Sequence, residues 1–262
     1  MPAISNPGGR MQWIFLSSHL DDAALSCGGL IAERTRMGDP VEIWTICAGD
    51  PPPGPLPTFA QSLHKRWGTS RDAAVARRLE DQQSCQRLEA AARHFAIPDC
   101  IYRRVPPAGD PLISTNDDLF QPFPDSQHSL VDSLRDQLAN ALPLKSLVVS
   151  PLALGNHIDH QLVRRAAERL GRPLLYYADY PYTVQASSDL EQSIHPGWQT
   201  YTQAISPDGL RAWQAAVAAH RSQISTFWDS VSEMEAAVQS YYEAGGGCKL
   251  WGDRNAITIT NL

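Results

Sequence analysis

The chain has 262 residues and a net charge of −6, with 43% hydrophobic and 19% charged residues. These proportions are typical of a globular protein and exclude a disordered or fibrous chain. The acidic balance argues against nucleic-acid binding, because phosphate contacts need Lys and Arg, and no stretch approaches the roughly 18 apolar residues of a membrane span. The first residues lack signal-peptide features and the cysteines lack a CxxC spacing, so we expect a cytoplasmic protein with reduced thiols.

Short apolar runs alternate with segments of helical periodicity along the chain, which is typical of a parallel sheet covered by helices. Strands are predicted at 13–18, 41–49, 100–105, 146–153 and 173–181, with a further terminal strand at 256–260. Helices are predicted at 23–38, 72–95, 129–141, 156–171 and 231–243, and another opens at Ser206-Pro207 with an apolar stripe of Trp213, Val217, His220 and Ile224. We therefore expect an α/β fold, Rossmann-like, with a mostly parallel sheet and helices on both faces, in a single domain over residues 1–262.

Two segments contain too much proline and too many polar residues for regular structure. The first covers about 50–68 and the second covers 106–127. Loops of this length in a compact domain are usually functional, so we expect the segments at about 50–70 and 106–127 to form the rim of a pocket. Residues 182–206 are also predicted to be a loop, with pieces of strand.

Titratable side chains follow two of the predicted strands. HLDD at 19–22 follows the first strand, and HIDH at 157–160 follows the fourth. The carboxyl ends of parallel strands lie at one edge of a sheet, so we expect these segments to meet. A catalytic zinc takes His and carboxylate ligands and leaves a position for water. The sequence therefore predicts a hydrolytic metal site at this edge.

The spacing within these segments suggests how the site is built. His19 and Asp22 are three residues apart and can converge at the start of a helix. Asp21 then points elsewhere, toward the water, and His160 comes from the second segment to close the site.

Both segments resemble the motifs of a known family. HLDDAALSCGG looks like the HPDDE-type motif, and GNHIDHQLV looks like the HPDH-type motif, of the PIG-L/LmbE-like zinc-dependent de-N-acetylases, in the same order. The resemblance implies an LmbE-like fold and a metal-dependent N-deacetylase, a hydrolase that removes an N-acyl group, with N-acetyl the first expectation, from an amino-sugar-containing substrate. It also implies one Zn²⁺ per chain, held by His19, Asp22 and His160.

The resemblance further implies catalytic roles for other residues. Asp21 would be the general base, and His157 in its protonated form would stabilise the oxyanion. Asp159 would orient an imidazole, as carboxylates behind metal ligands do. The segment ARRLEDQQSCQRL resembles the R-x-x-E helix of the family, which implies that Arg77 contacts substrate. Weaker similarities in YYADYPY and AAVAAHRSQI extend the likeness to about residue 225.

The sequence also departs from the family pattern. Leu20 and Ile158 stand where the family has prolines, and Ala23 stands where it has Glu. The prolines shape a turn and bind no metal, so the metal site is expected to survive their loss. The missing Glu puts in question the support of the ligands and the substrate subclass.

Several candidate residues also have purely structural interpretations. Asp21 and Asp22 could cap the following helix, and the two histidines of HIDH could lie on the surface. Arg77 could pair three residues along its own helix, with Arg78 and Asp81 as an equally spaced competitor. His220 lies on an apolar stripe and is predicted to pack in the core.

Two other functions stay open on the sequence alone. One is a zinc amidase that acts on a thiol conjugate. The other is a non-catalytic sugar- or nucleotide-binding Rossmann-like protein, although no GxGxxG follows the first strand. The expected partner is a small-molecule N-acylated sugar or glycoconjugate, with no nucleic acid and no membrane span. Homo-oligomer formation, frequent in the family, is a further expectation.

Overall fold

The computed structural model describes residues 10–70, 72–185 and 187–259. Within them, the strands are β1 (Gln12–Ser17), β2 (Val41–Thr45), β3 (Ala91–His94), β4 (Arg104–Val105), β5 (Asp110–Pro111), β6 (Ser146–Pro151), β7 (Leu174–Tyr177), β8 (Gln199–Thr202) and β9 (Lys249–Gly252). The helices are α1 (Asp22–Arg36), α2 (Thr58–Arg66), α3 (Ala73–Arg87), α4 (His128–Ala141), α5 (Ile158–Glu168), α6 (Tyr182–Gln185), α7 (Ser187–Ser193), α8 (Pro207–Ala219), α9 (Arg221–Phe227), α10 (Val231–Glu243) and α11 (Arg254–Ile259).

The described strands form one large sheet in the order β3-β2-β1-β6-β7-β9-β8, with β4 and β5 as a separate pair. The five strands from β3 to β7 in this order are parallel. Only the edge formed by β9 and β8 is antiparallel within the described sheet. The predicted α/β fold with a mostly parallel sheet is therefore confirmed.

Alternate residues of β1 pack on opposite faces of the sheet. Trp13 and Phe15 join one buried cluster together with residues of α1, whereas Ile14 and Leu16 join another together with residues of α4 and α5. A strand covered by helices on both faces has no exposed side, which explains its continuous apolar run.

The strand order places the two candidate motifs side by side. β1 lies between β2 and β6. From β1 the chain first adds β2 and β3 on one side, and it later adds β6 and β7 on the other. Residues that follow β1 and β6 therefore meet at the carboxyl edge, at the topological switch point where open α/β sheets bind ligands.

The predicted helix at 72–95 is wrong in its second half. Helix α3 ends at Arg87, and residues 91–94 form the edge strand β3, which pairs in parallel with β2. Glu89 has a φ of 55°, a left-handed conformation that stops the helix. The first three residues of β3 are exposed, so the strand carries no apolar alternation in the sequence.

Two other predicted strands need correction. In the segment 100–105, residues Cys100–Tyr102 form a 3-10 turn, because the Asp99 side chain accepts the N–H of Ile101. Residues 104–105 do form a strand, β4, but it pairs with β5 outside the large sheet. At the end of the chain the strand is β9, and the described part of 256–260 is helical, since Asp253 accepts the N–H of Ala256. Residues 1–9, used for the signal-peptide prediction, and Thr260 lie outside the described residues.

The three segments predicted to be irregular contain short elements. Helix α2 begins directly after Pro57, the last proline of its segment. Residues 182–206 contain α6, α7 and β8. The helix predicted to open at Ser206-Pro207 and to include Ile224 is broken at His220, which has a ψ of 61° and separates α8 from α9.

Candidate active site

The turn after β1 is held by side-chain hydrogen bonds within the first motif. The Ser17 hydroxyl donates to the carbonyl of His19 at 2.6 Å and accepts the N–H of Ala23 at 3.0 Å. Asp22 Oδ2 accepts the N–H of His19 at 2.7 Å. Asp21 occupies the N-cap position of α1 but makes no side-chain capping bond. The two carboxylates therefore do not serve as helix caps.

The second motif begins with a sharp turn. Gly155 has a φ of 75°, and a Cβ there would lie 2.8 Å from the ring of Tyr182. His157 then caps α5, where its Nδ1 accepts the N–H of Asp159 at 3.3 Å. As a result, the first residues of α5 contact the residues that follow β1.

Three of the predicted site residues converge on one point. Asp22 Oδ2 lies 3.3 Å from His19 Nδ1 and 3.2 Å from His160 Nε2. Ring nitrogens of His19, His157 and His160 also lie within 4.8 Å of one another, close enough to share one ion. All four side chains are buried. Two imidazoles and a carboxylate with this convergence form a donor set that suits zinc.

The far nitrogens of both candidate ligands face carboxylates. His19 Nε2 lies 3.0 Å from Asp159 Oδ2, and His160 Nδ1 lies 2.7 Å from Asp179 Oδ1. Carboxylates in this position fix the tautomer and orientation of a metal-binding imidazole. The imidazole that contacts the Asp159 carboxylate is thus His19.

Asp179 was missed by the sequence analysis. It follows β7, so it reaches the same carboxyl edge as the two motifs, and it also accepts the N–H of Leu154 at 3.0 Å. The rule that pointed to HLDD and HIDH, an acidic residue directly after a parallel strand, would have found it within YYADYPY.

Arg103 was missed as well. Its guanidinium pairs with Asp159 Oδ1, while the N–H of Cys100 donates to Asp159 Oδ2 at 2.9 Å. Arg103 follows the 3-10 turn that the sequence analysis took for a strand. Nothing in the local sequence distinguishes it from the neighbouring Arg104.

The buried carboxylates draw positive charge into this cluster. Burial alone lowers the pKa of both candidate ligand histidines, but the facing carboxylates outweigh it. The pKa of His19 is raised well above its ordinary value, with Asp99 the largest contributor, and that of His160 is raised to about 10, chiefly by Asp22. Burial raises the pKa of Asp22, but His160 and His19 together outweigh this effect and lower the pKa well below the usual range. The cluster therefore favours cations.

Asp21 is buried beside Arg77. Burial raises the pKa of Asp21 to about 6, and the guanidinium opposes this shift from 3.6 Å. Arg77 also lies 3.9 Å from Asp99 Oδ2 and 4.9 Å from the centre of the Trp67 ring. A carboxyl with a pKa near neutrality can both accept and release a proton.

The alternative interpretation, in which Arg77 or Arg78 pairs with the acidic residue three positions further along α3, is wrong. Glu80 accepts hydrogen bonds from the backbone and hydroxyl of Ser222. Arg78 donates to the carbonyl of Ala48 and to Asp50, and Asp81 contacts His94 at 2.6 Å.

His157 packs against the rings of His19 and His160, with centroids 4.8 and 5.1 Å away. Burial lowers its pKa well below the ordinary value, and His19 and His160 add to the effect. Its ring meets the edge of Phe120, with centroids 5.6 Å apart. Because Nδ1 accepts a backbone N–H, the proton of the neutral ring lies on Nε2. The protonated imidazole expected from the sequence would lose this hydrogen bond.

A cleft of about 320 Å³ opens above these residues. Its walls include residues from both segments predicted to form a pocket rim, with Leu63, Arg66 and Trp67 from the first and Asn116, Leu119 and Phe120 from the second. Among the predicted site residues, His19, Asp21, Asp22, Arg77 and His157 reach the cleft, whereas Asp159 and His160 lie beneath it. His220 is buried, as its apolar stripe predicts.

A mostly parallel α/β sheet with clustered His and Asp side chains at its switch point is the arrangement expected of an α/β metal-dependent hydrolase. The chain belongs to the PIG-L family, since the family profile described as "PIG-L: GlcNAc-PI de-N-acetylase" matches residues 14–170. The resemblance drawn from the two motifs is therefore confirmed.

Relatives agree with this assignment. A 2'-N-acetylparomamine deacetylase from Niallia circulans is 31% identical over 72% of this chain and 73% of its own length. An enzyme of the same name from Streptomyces fradiae is 29% identical over 71% of this chain and 63% of its own length. The solved zinc-inhibited form of teicoplanin deacetylase Orf2 is 29% identical, with a TM-score of 0.78, and the match covers 92% of this chain and 97% of that one.

These relatives confirm the predicted enzyme class at the level of the family, because each is named a deacetylase. The solved relative is described with zinc, and the described residues here include groups that could hold a metal ion. Among the described residues, no helix is both long enough and apolar enough to cross a membrane.

Proposed function

We propose that this chain is a zinc-dependent N-deacetylase that removes the acetyl group from an N-acetylated amino sugar within a small glycoconjugate. One observation carries the proposal: Asp22 Oδ2 lies within 3.3 Å of both His19 Nδ1 and His160 Nε2, and Asp21 and His157 line the same cleft. Residues 1–262 are proposed to be one domain, with the segments at 50–70 and 106–127 as the pocket rim.

His19, Asp22 and His160 would hold one zinc ion through these three atoms. The fit rests on the donor chemistry, since two imidazoles and one carboxylate are a common catalytic zinc set. Asp159 and Asp179 would keep the far nitrogens protonated, so that the near nitrogens carry the lone pairs. When bound, zinc would supply Lewis acidity, which polarises a carbonyl and lowers the pKa of a water molecule.

Asp21 is proposed as the general base. Its carboxylate would take the proton of the attacking water and later give it to the departing amine. The pKa of about 6 suits both steps, because the group is mostly ionised at neutral pH and still basic enough to hold a proton. Arg77, 3.6 Å away, would keep the carboxylate in place and contact the substrate beside it.

His157 is proposed to stabilise the oxyanion as a neutral imidazole. Its Nδ1 accepts the N–H of Asp159, so Nε2–H is the donor that would face the carbonyl oxygen. This differs from the protonated form expected from the sequence, since burial strongly disfavours the imidazolium. A preorganised donor of this kind contributes where charge develops in the transition state.

The substrate class is proposed from the cleft and from the relatives together. Trp67 and Phe120 give the cleft aromatic walls of the kind that sugar rings pack against, while Arg77 and Asp99 offer hydrogen bonds for hydroxyl groups. The relatives named for 2'-N-acetylparomamine suggest an amino-sugar glycoside, and a glycopeptide of the teicoplanin kind is the alternative scaffold.

A panel of acylated substrates tests the proposal. Purified enzyme with one equivalent of zinc should release primary amine from 2'-N-acetylparomamine or from an N-acetylglucosaminide, as measured with an amine-reactive fluorophore. The Asp21→Asn variant should retain zinc and lose turnover. Release of amine only from a thiol conjugate would favour the amidase alternative. No release from any amide by a zinc-loaded protein would overturn the proposal.

A further inference from the structure

We propose that Arg103 is a positioning residue that holds the Asp159 carboxylate against His19 and thereby sets the affinity of the site for a divalent metal. The inference rests on the proposed function in one respect, because it takes His19 as a metal ligand. It assigns no contact between Arg103 and the substrate.

The contacts form a continuous chain through the interior. The Arg103 guanidinium pairs with Asp159 Oδ1, and Asp159 Oδ2 lies 3.0 Å from His19 Nε2. Arg103 is 8% exposed and Asp159 is 0% exposed. His19 Nδ1, on the far side of the same ring, lies 3.3 Å from Asp22 Oδ2. A displacement of Asp159 would therefore rotate the ring that presents Nδ1.

Charge balance gives Arg103 its importance. A fully buried carboxylate is costly unless a cation or several hydrogen bonds compensate it. With a metal at Nδ1, His19 is a neutral ring that donates only Nε2–H to Asp159. Among the described ion pairs, the remaining cation at Asp159 is Arg103. Arg103 thus compensates the buried charge of Asp159 and holds Oδ1, which leaves Oδ2 directed at His19 Nε2.

The other nitrogen atoms of the Arg103 side chain make no hydrogen bond within the described residues. Its Nε and Nη1 atoms are buried without a hydrogen-bond partner there. The backbone is held separately, since the carbonyl of Arg103 accepts the N–H of Leu112 at 2.9 Å. The side chain therefore serves the carboxylate and does not brace a loop.

Arg104 provides a matched control. It is the next residue and has the same side chain, but it points outward and donates to the carbonyls of Gly109 and Pro55 at 2.8 and 3.1 Å. Replacing Arg104 removes a cation and two loop contacts without touching Asp159. A difference between Arg103→Met and Arg104→Met therefore isolates the contact with Asp159.

The readout is zinc affinity, measured by competition with a chromophoric chelator, with folding checked by thermal melting in EDTA. Arg103→Met is expected to weaken zinc binding by about 10- to 100-fold, the usual effect of losing support behind a ligand. Arg104→Met is expected to stay within about twofold of wild type, and Arg103→Lys should recover part of the loss. The visible spectrum of the cobalt-substituted protein should change in Arg103→Met and not in Arg104→Met.

A double-mutant cycle gives the decisive comparison. If Arg103 acts through Asp159, Arg103→Lys should weaken zinc binding in wild type and have no further effect in Asp159→Asn. Additive effects would overturn the proposal, as would an Arg103→Met protein that melts earlier but binds zinc normally. Because the cycle uses Arg103→Lys, it tests the proposal even if Arg103→Met fails to fold. If Arg103→Met weakens zinc binding while the zinc-loaded wild-type protein has no deacetylase activity, the proposed function is rejected and this inference stands.

Discussion

Asp22 and His160 lie with Oδ2 and Nε2 3.2 Å apart, although they follow different strands of the sheet. The contact exists because β1 and β6 are adjacent and parallel, so the residues after each strand enter the same space. His19 completes the set from the turn that precedes Asp22. A candidate metal site is therefore a direct consequence of the strand order.

Asp179→Asn should weaken zinc binding without removing a ligand. The carboxylate of Asp179 lies 2.7 Å from His160 Nδ1, and an amide in its place could present its N–H₂ group to that nitrogen and favour the wrong tautomer. We expect a loss of affinity of about 10- to 100-fold, measured by chelator competition. Asp132→Asn, which changes an exposed carboxylate that pairs with Arg169, is the control and should bind zinc normally.

The pH dependence of kcat/KM should show an acidic limb from Asp21. Burial raises the pKa of Asp21 to about 6, so the base is protonated and inactive at lower pH. Activity should fall about tenfold per unit below the limb. A bound cation lowers the pKa of a nearby carboxyl, so the midpoint should lie at or below about pH 6. A flat profile between pH 4 and 7 would contradict the role of Asp21.

Asp21→Asn should stabilise the metal-free protein while it abolishes turnover. A carboxyl whose folded-state pKa is raised stabilises the fold relative to its ionised form at low pH, and this advantage is lost as the pH rises through about 6. Asn does not ionise, so its benefit should be on the order of 1 kcal/mol at pH 8 and smaller at pH 5. Thermal melting in chelator at the two pH values provides the measurement. An equal or opposite difference would mean that the pKa of Asp21 is not raised.

Gly155→Ala should impair the second motif specifically. The new Cβ would have to occupy a left-handed conformation and would lie 2.8 Å from the Tyr182 ring. Gly171→Ala is the control, because Gly171 has a similar φ of 65° with no atom within 4 Å of a Cβ. The left-handed conformation should cost each variant about 1 kcal/mol of stability. Gly155→Ala should cost more because of the contact with Tyr182, and it alone should lower kcat/KM. Equal kcat/KM values for the two variants would show that the turn at Gly155 does not shape the active site.

Much of the fold could be predicted because β1, β2, β6 and β7 are buried and apolar. The edge strand β3 could not, since its stability comes from backbone pairing with β2 and its side chains are mostly exposed. A helical pattern that continued past Arg87 concealed the left-handed residue Glu89, which ends the helix.

The candidate site divides in the same way. The residues of HLDD and HIDH lie next to strands and within motifs, so spacing and family resemblance indicate them. Asp179 and Arg103 take part through contacts with residues far away in the chain. Arg103 in particular lies in a segment whose 3-10 turn depends on the side chain of Asp99. Only the folded structure distinguishes Arg103 from Arg104.

Removal and return of zinc test the central claim most directly. The wild-type protein would be stripped with a chelator, dialysed, and assayed for amine release from an N-acetylated amino-sugar glycoside before and after one equivalent of zinc. We expect no release from the stripped protein and recovery of activity with zinc, together with loss of both zinc binding and recovery in His160→Ala. Full activity of the metal-free protein, or recovery in His160→Ala equal to wild type, would contradict the account.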